Sequence, residues 1–133
     1  MSIPGIAQKP VPWVDSKGHI HYDKKVIGTL THNAGLDQSG RAVTKVDKSG
    51  NIVDSTGAII GKAPKNSTFE FYTNDKTQTF SIGEADHSGL CAIKNDKGKV
   101  VLLLHKGYKA EAACAIHCLY ANHCIPSEKE QLQ

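Results

Sequence analysis

The sequence predicts a mainly β fold: five pseudo-repeated short antiparallel β-hairpins in a flower- or propeller-like arrangement, with one C-terminal α-helix packed on them. Glycine is frequent, at 12 of 133 residues, and aromatic residues make up only 6%. That balance suits short strands and tight turns better than a helical core. The motif Asp-x-x-Gly also recurs between short apolar runs and stops after Gly107, where alanine takes over. At this length the chain is expected to form one domain.

Residues 1–13 hold three of the five prolines and show no periodicity. They are expected to form an extended arm, with Trp13, the sole tryptophan, packing it onto the repeat domain at 14–107. Unit one follows Asp15-Ser16-Lys17-Gly18. It runs His19 to Tyr22, turns at Asp23-Lys24-Lys25 and returns through Val26 to Leu30. Unit two pairs Gly35-Leu36 with Arg41 to Val46 around the turn Asp37-Gln38-Ser39-Gly40. A linking turn at Asp47 to Gly50 leads into the clearest copy, Asn51 to Ala63, whose turn is Asp54-Ser55-Thr56-Gly57. Aspartate at the first turn position can accept hydrogen bonds from the following backbone, and Gly40 or Gly57 at the fourth accepts positive φ. Unit four joins Thr68–Thr73 to Gln78–Ala85 through Asn74 to Thr77. After a link at Asp86 to Gly89, unit five joins Leu90–Lys94 to Lys99–Lys106 through Asn95 to Gly98.

The five tips begin at 23, 37, 54, 74 and 95, a mean spacing of 18 residues. Three return strands carry Ile-Gly at the same place: Ile27-Gly28, Ile60-Gly61 and Ile82-Gly83. Glycine inside a strand marks a bulge or a close approach of backbone, so Gly28, Gly61 and Gly83 are expected where each unit meets its neighbour. Tandem hairpins of the form D-x-x-G-x-x-I-G, best carried by Asp54 to Gly61, resemble the five-fold beta-flower proteins, a bacterial group. The resemblance spans Val14 to Lys106; unit two lacks the Ile-Gly pair and unit five has leucines in its place. It implies a fold and no catalytic residues.

Residues 108–125 read as a helix rich in alanine and free of glycine and proline, with Glu111 and Asn122 on one narrow polar edge. It is expected to pack on the hairpins and close one end of the ring. Pro126 ends it, and 126–133 should form a flexible polar tail.

Candidate chemistry gathers on this helix. Cys114 and Cys118 share a face, His117, His123 and Cys124 lie close by, and Cys91 sits in the last hairpin. Thiolates and imidazoles together suit zinc or copper(I). Structural zinc, however, uses two separated knuckles where this chain has one, and buried cysteine packs as a small hydrophobe. No cofactor is therefore expected, with zinc or copper as the alternative. A nucleophilic cysteine beside His117, His87 or His105 would have to be exposed and acidic, which a packed helix opposes. Disulfide pairing of Cys91 or Cys124 with a helix cysteine would call for an oxidising compartment. His19 and His21 alternate on one strand face and could join His32 as a metal or proton-sensing patch, although the residues assign it no role.

The net charge of +3 comes from basic residues scattered over turns, so nucleic acid is not expected as a partner. No run approaches the roughly 20 apolar residues of a membrane helix. The start lacks a basic region followed by an apolar stretch, which predicts a cytoplasmic protein unless a leader has been removed. Strong catalytic motifs are absent. The reading is a non-catalytic binding or interaction module for an unknown protein or small ligand, with a metal-binding helix and a cysteine-dependent enzyme as alternatives.

Overall fold

The computed structural model describes residues 11–73 and 76–122. Eleven strands close into a barrel: β1 (Trp13–Val14), β2 (His19–Tyr22), β3 (Lys25–Thr31), β4 (Ala34–Leu36), β5 (Ala42–Val46), β6 (Asn51–Asp54), β7 (Ile59–Lys62), β8 (Thr68–Thr73), β9 (Lys76–Ile82), β10 (Leu90–Lys94) and β11 (Val100–His105). Each strand pairs antiparallel with the next. The barrel closes where β1 lies parallel to β11, with Trp13 opposite Leu103 and Val14 opposite Leu104. The end of the expected arm is therefore part of the wall. Pro12 O also accepts from Leu103 N at 3.0 Å. Trp13 does not pack inward. It is 40% exposed on the outer face while Val14 points into the core.

One turn builds most of the connections. Asp54 Oδ1 accepts from Thr56 N and Ala58 N at 2.9 and 3.0 Å, Asp54 O accepts from Gly57 N, and Gly57 sits at φ 89°. The same pattern recurs at Asp15, Asp37, Asp47, Asp86 and Asn95. The linking turns are thus built like the tips, although the sequence reading kept them apart. Tyr22 to Lys25 departs from it, with Asp23 and Lys24 both at positive φ (52° and 66°). Asn74 and Asp75, at the expected fourth tip, lie outside the described residues.

A second recurring device is a bulge. The ladder slips by one residue at Ile27 (β2–β3), Val43 (β4–β5), Ile60 (β6–β7) and Val101 (β10–β11). Each bulge falls one residue before Gly28, Thr44, Gly61 and Leu102, and it increases local twist, which helps a short-stranded sheet curl shut. In the first and third of these pairs the bulged residue is the isoleucine of the Ile-Gly pair, and the glycine follows it. Units that lack the pair keep the bulge. The β8–β9 ladder runs in register from Thr68–Ser81 to Thr73–Lys76 without one.

After a 3-10 stretch at Lys106–Glu111, helix α1 (Ala112–Ala121) enters the barrel. Ala112, Ala113, Cys114, Ala115 and Ile116 are each at most 1% exposed. Five consecutive residues sweep the whole circumference of a helix, so the first half of α1 is enclosed on every side, while His117, Tyr120 and Ala121 in its last turns reach the surface. It fills the barrel rather than capping an end, and this corrects the expected placement. The physical reason lies in its residues: Ala112 to Ile116 carry no polar side chain to turn to water, and the polar His117 and Tyr120 come only where the helix nears the surface. Glu111, assigned to a polar edge, is 3% exposed and accepts from Asn33 N at 2.9 Å. Inward side chains of β8 to β11 (Phe69, Phe71, Phe80, Ile82, Cys91, Ile93, Leu102, Leu104) complete the core. Among the described residues no helix is long and apolar enough to cross a membrane.

Candidate functional site

The helix thiols are packing groups. A Cβ on Gly28 would lie 2.6 Å from Cys118 Sγ, one on Gly35 would lie 3.1 Å from Cys114 Cβ, and one on Gly61 would lie 3.2 Å from Ala113 Cβ. The wall is therefore flattened where α1 comes nearest. The i, i+4 spacing of the two cysteines matches the step from β4 to β3. Cys118 Sγ donates to Ile27 O at 3.3 Å. Burial pushes the Cys114 thiol up to about 11 and also raises Cys91, so neither is a thiolate at neutral pH. Burial likewise lowers the pKa of His117, against an opposing pull from Asp54. His105 Nδ1 is engaged by Gly107 N at 3.1 Å. Cys91, Cys114, His117 and Cys118 do not converge as a metal set; His123 and Cys124 lie outside the described residues.

Gly83 differs from the other two repeat glycines. A Cβ there would meet only the Ala92 backbone, its O at 3.5 Å and its N at 3.9 Å, an ordinary contact with β10. At Gly28 and Gly61 the crowding also comes from the next strand, with Leu36 O at 2.9 Å and Glu70 O at 2.8 Å. These two glycines therefore serve the junction between strands and the seat of the helix together. The Ile-Gly spacing predicts the first role; the second depends on where α1 lies and has no local signal.

Where α1 ends, a cleft of about 430 Å³ opens between the helix and the Asp37 turn. Ile27, Val43 and Ala121 give it apolar wall, and Gln38, Ser39, Arg41, His117 and Asn122 give it polar edges. Asp37 Oδ1 accepts from Ser39 Oγ at 2.6 Å and from the Ser39 and Arg41 amides. The Ser39 hydroxyl, ahead of these amides, holds the Asp37 carboxyl below its ordinary range. Arg41 Nε stands 3.7 Å from Asp37 Oδ2 and keeps a largely exposed side chain. Asn122 Nδ2 donates to Cys118 O at 2.9 Å. Asp37 and Gly40 are legible in the sequence as turn formers, whereas the concavity their turn borders depends on where α1 ends.

A third group lies on the outer face. His19 and His21 flank the inward Ile20 on β2, and the turn that precedes the strand brings Asp15 beside them. His32, grouped with these histidines from the sequence, instead stacks on Tyr108, with ring centroids 6.1 Å apart. The signal for Asp15 was present in the sequence, as an Asp-x-x-Gly turn placed directly before His-x-His.

Comparison with protein-family models, with curated proteins and with solved structures finds no match for the chain. Its functional reading rests on these three places.

Proposed function

We propose that the chain is a non-catalytic binding module that takes a small polar ligand in the cleft beside the last turn of α1. The observation that carries this reading is the filling of the barrel. With α1 occupying the interior, concave surface is left at the mouth, where apolar wall and convergent donors and acceptors meet as they do in ligand sites of barrels. The burial of the thiols, which makes Cys91 and Cys114 weaker acids than a free cysteine, supports a non-catalytic role over a cysteine-dependent one. The recurring turn and bulge support assignment to the beta-flower type, in which a rigid frame presents variable turns.

The test is a backbone NMR titration with a panel of small polar metabolites: carboxylates, sugars and nucleosides. A ligand is expected to perturb the amides of Asp37 to Val43 and His117 to Asn122 together, and Arg41→Ala is expected to weaken it. Perturbations confined to other turns, or turnover of any panel member that Cys118→Ala abolishes, would overturn the reading.

A further inference from the structure

The chemistry-bearing residues outside the cleft come together at one place, the outer face of β2. Asp15 Oδ2, His19 Nδ1 and His21 Nε2 form, among the described residues, the group whose ligand atoms all lie within 4.8 Å of one another. His21 Nε2 is 2.8 Å from Asp15 Oδ2, and His19 Nδ1 is 3.5 Å from the same oxygen. Ligand atoms about 2 Å from a tetrahedral ion stand about 3.3 Å apart, so the two separations to Asp15 bracket what zinc demands, and the two ring nitrogens, within 4.8 Å of each other, need only a small side-chain rotation to meet it. The geometry is also held from outside the group. Asp15 Oδ1 is engaged by the Lys17 and His19 amides at 2.9 and 3.0 Å, which fixes the carboxylate and leaves Oδ2 turned toward the two rings. His21 is stacked on Trp13, with ring centroids 4.4 Å apart and planes 15° apart. His19 and His21 share a face because strand side chains alternate, and Ile20 between them is anchored in the core at 1% exposure.

We propose that Asp15, His19 and His21 form a surface site for a divalent transition-metal ion, zinc(II) or copper(II). Two imidazoles and a carboxylate are a donor set that such ions prefer over calcium or magnesium, which favour oxygen alone. The hydrogen-bonded Asp15–His21 pair is the metal-free arrangement, and the ion takes the place of the proton between the two groups. Three protein ligands leave at least one coordination position facing solvent, open to water or to a donor from another molecule. The site is separate from the cleft beside α1 and does not depend on the ligand proposed there.

Trp13 makes the site readable, because it is the sole tryptophan and stacks on a ligand ring. Tag-free protein would be titrated with copper(II) while its tryptophan fluorescence is followed, and with zinc(II) by calorimetry. Expected are about one ion per chain, quenching of Trp13 with the same stoichiometry, and reversal of the quenching by excess EDTA. His19→Ala and His21→Ala should each weaken binding at least about tenfold, while His32→Ala should leave it unchanged. His19 is the more exposed of the two rings, so its variant should melt like wild type without metal, and Asp15→Asn provides an independent variant. Absence of binding, binding that survives both histidine substitutions, or binding removed by Cys118→Ala or Cys124→Ala instead would overturn the proposal.

Discussion

Gly61 shows how single residues carry this fold. Its missing side chain leaves room for the Glu70 carbonyl at 2.8 Å and the Ala113 methyl at 3.2 Å, so wall and helix both press on one atom position. Neither the carbonyl nor the methyl is a flexible tip that can swing aside. Gly61→Ala should therefore cost about 1–3 kcal/mol through overpacking. Gly83→Ala, facing only an ordinary contact, should cost less than about 1 kcal/mol, judged by urea denaturation. At Gly28 part of the crowding is the Cys118 sulfur, which a second substitution can remove. Gly28→Ala combined with Cys118→Ala should cost less than the sum of the two single changes. Equal midpoints for Gly61→Ala and Gly83→Ala would contradict the seating of α1 on the glycine wall.

At the scale of the element, the six-fold use of one turn makes the carboxylates a group with a common pH response. Asp37, Asp47, Asp54 and Asp86 are all held below the ordinary carboxylate range: Asp37 and Asp54 first by the hydroxyls of Ser39 and Thr56, Asp47 and Asp86 first by backbone amides. Because the folded pKa values are depressed, the stability they contribute is present above the unfolded value of 3.8 and is lost as pH falls through the folded values. Thermal midpoints should accordingly fall in this acid range. The sixth turn shows what the role requires, since Asn95 accepts the Lys97 and Lys99 amides through its Oδ1, both at 2.9 Å. Asp54→Asn should keep most of the turn and lose part of the acid dependence, whereas Asp54→Ala should lose the turn bonds at every pH. Identical acid profiles for wild type and Asp54→Asn would remove the carboxylate from the account.

For the whole molecule, the decisive relation is that between barrel and helix. A helix laid over one end could be removed and leave a smaller but closed sheet. A helix whose first half is buried on all sides cannot, because its removal leaves a cavity lined by core residues of the barrel wall. A chain ended at Gly107 is therefore expected to lose its cooperative thermal transition. In the full chain, the amides of Ala115 to Leu119 should rank among the slowest to exchange with deuterium. A truncated chain with a sharp transition and an unchanged β-type circular dichroism spectrum would show that the wall stands alone.

The sequence by itself determined the β class, the positions of most strands, the Asp-x-x-Gly turns and the presence of a C-terminal helix, though not its start: the expected span of 108–125 begins in a 3-10 stretch and turns α-helical only at Ala112. Each is a local event, settled by hydrogen bonds within five residues or by the alanine and cysteine content of one segment. It also carried the Ile-Gly periodicity, because a bulge and the glycine after it are neighbours in the chain. What the tertiary structure decided is where these pieces stand. Barrel closure rests on a two-residue strand, Trp13–Val14, too short to show a pattern; it pairs locally with β2 but closes the sheet through β11, some 90 residues away. The enclosure of α1 follows from how many strands surround it, which no single segment encodes. The Asp15, His19 and His21 group lies between these extremes. Its members sit within seven residues, yet their convergence depends on the turn that folds Asp15 back against β2 and on the core seat of Ile20, which together bring three donor atoms to one point on the surface.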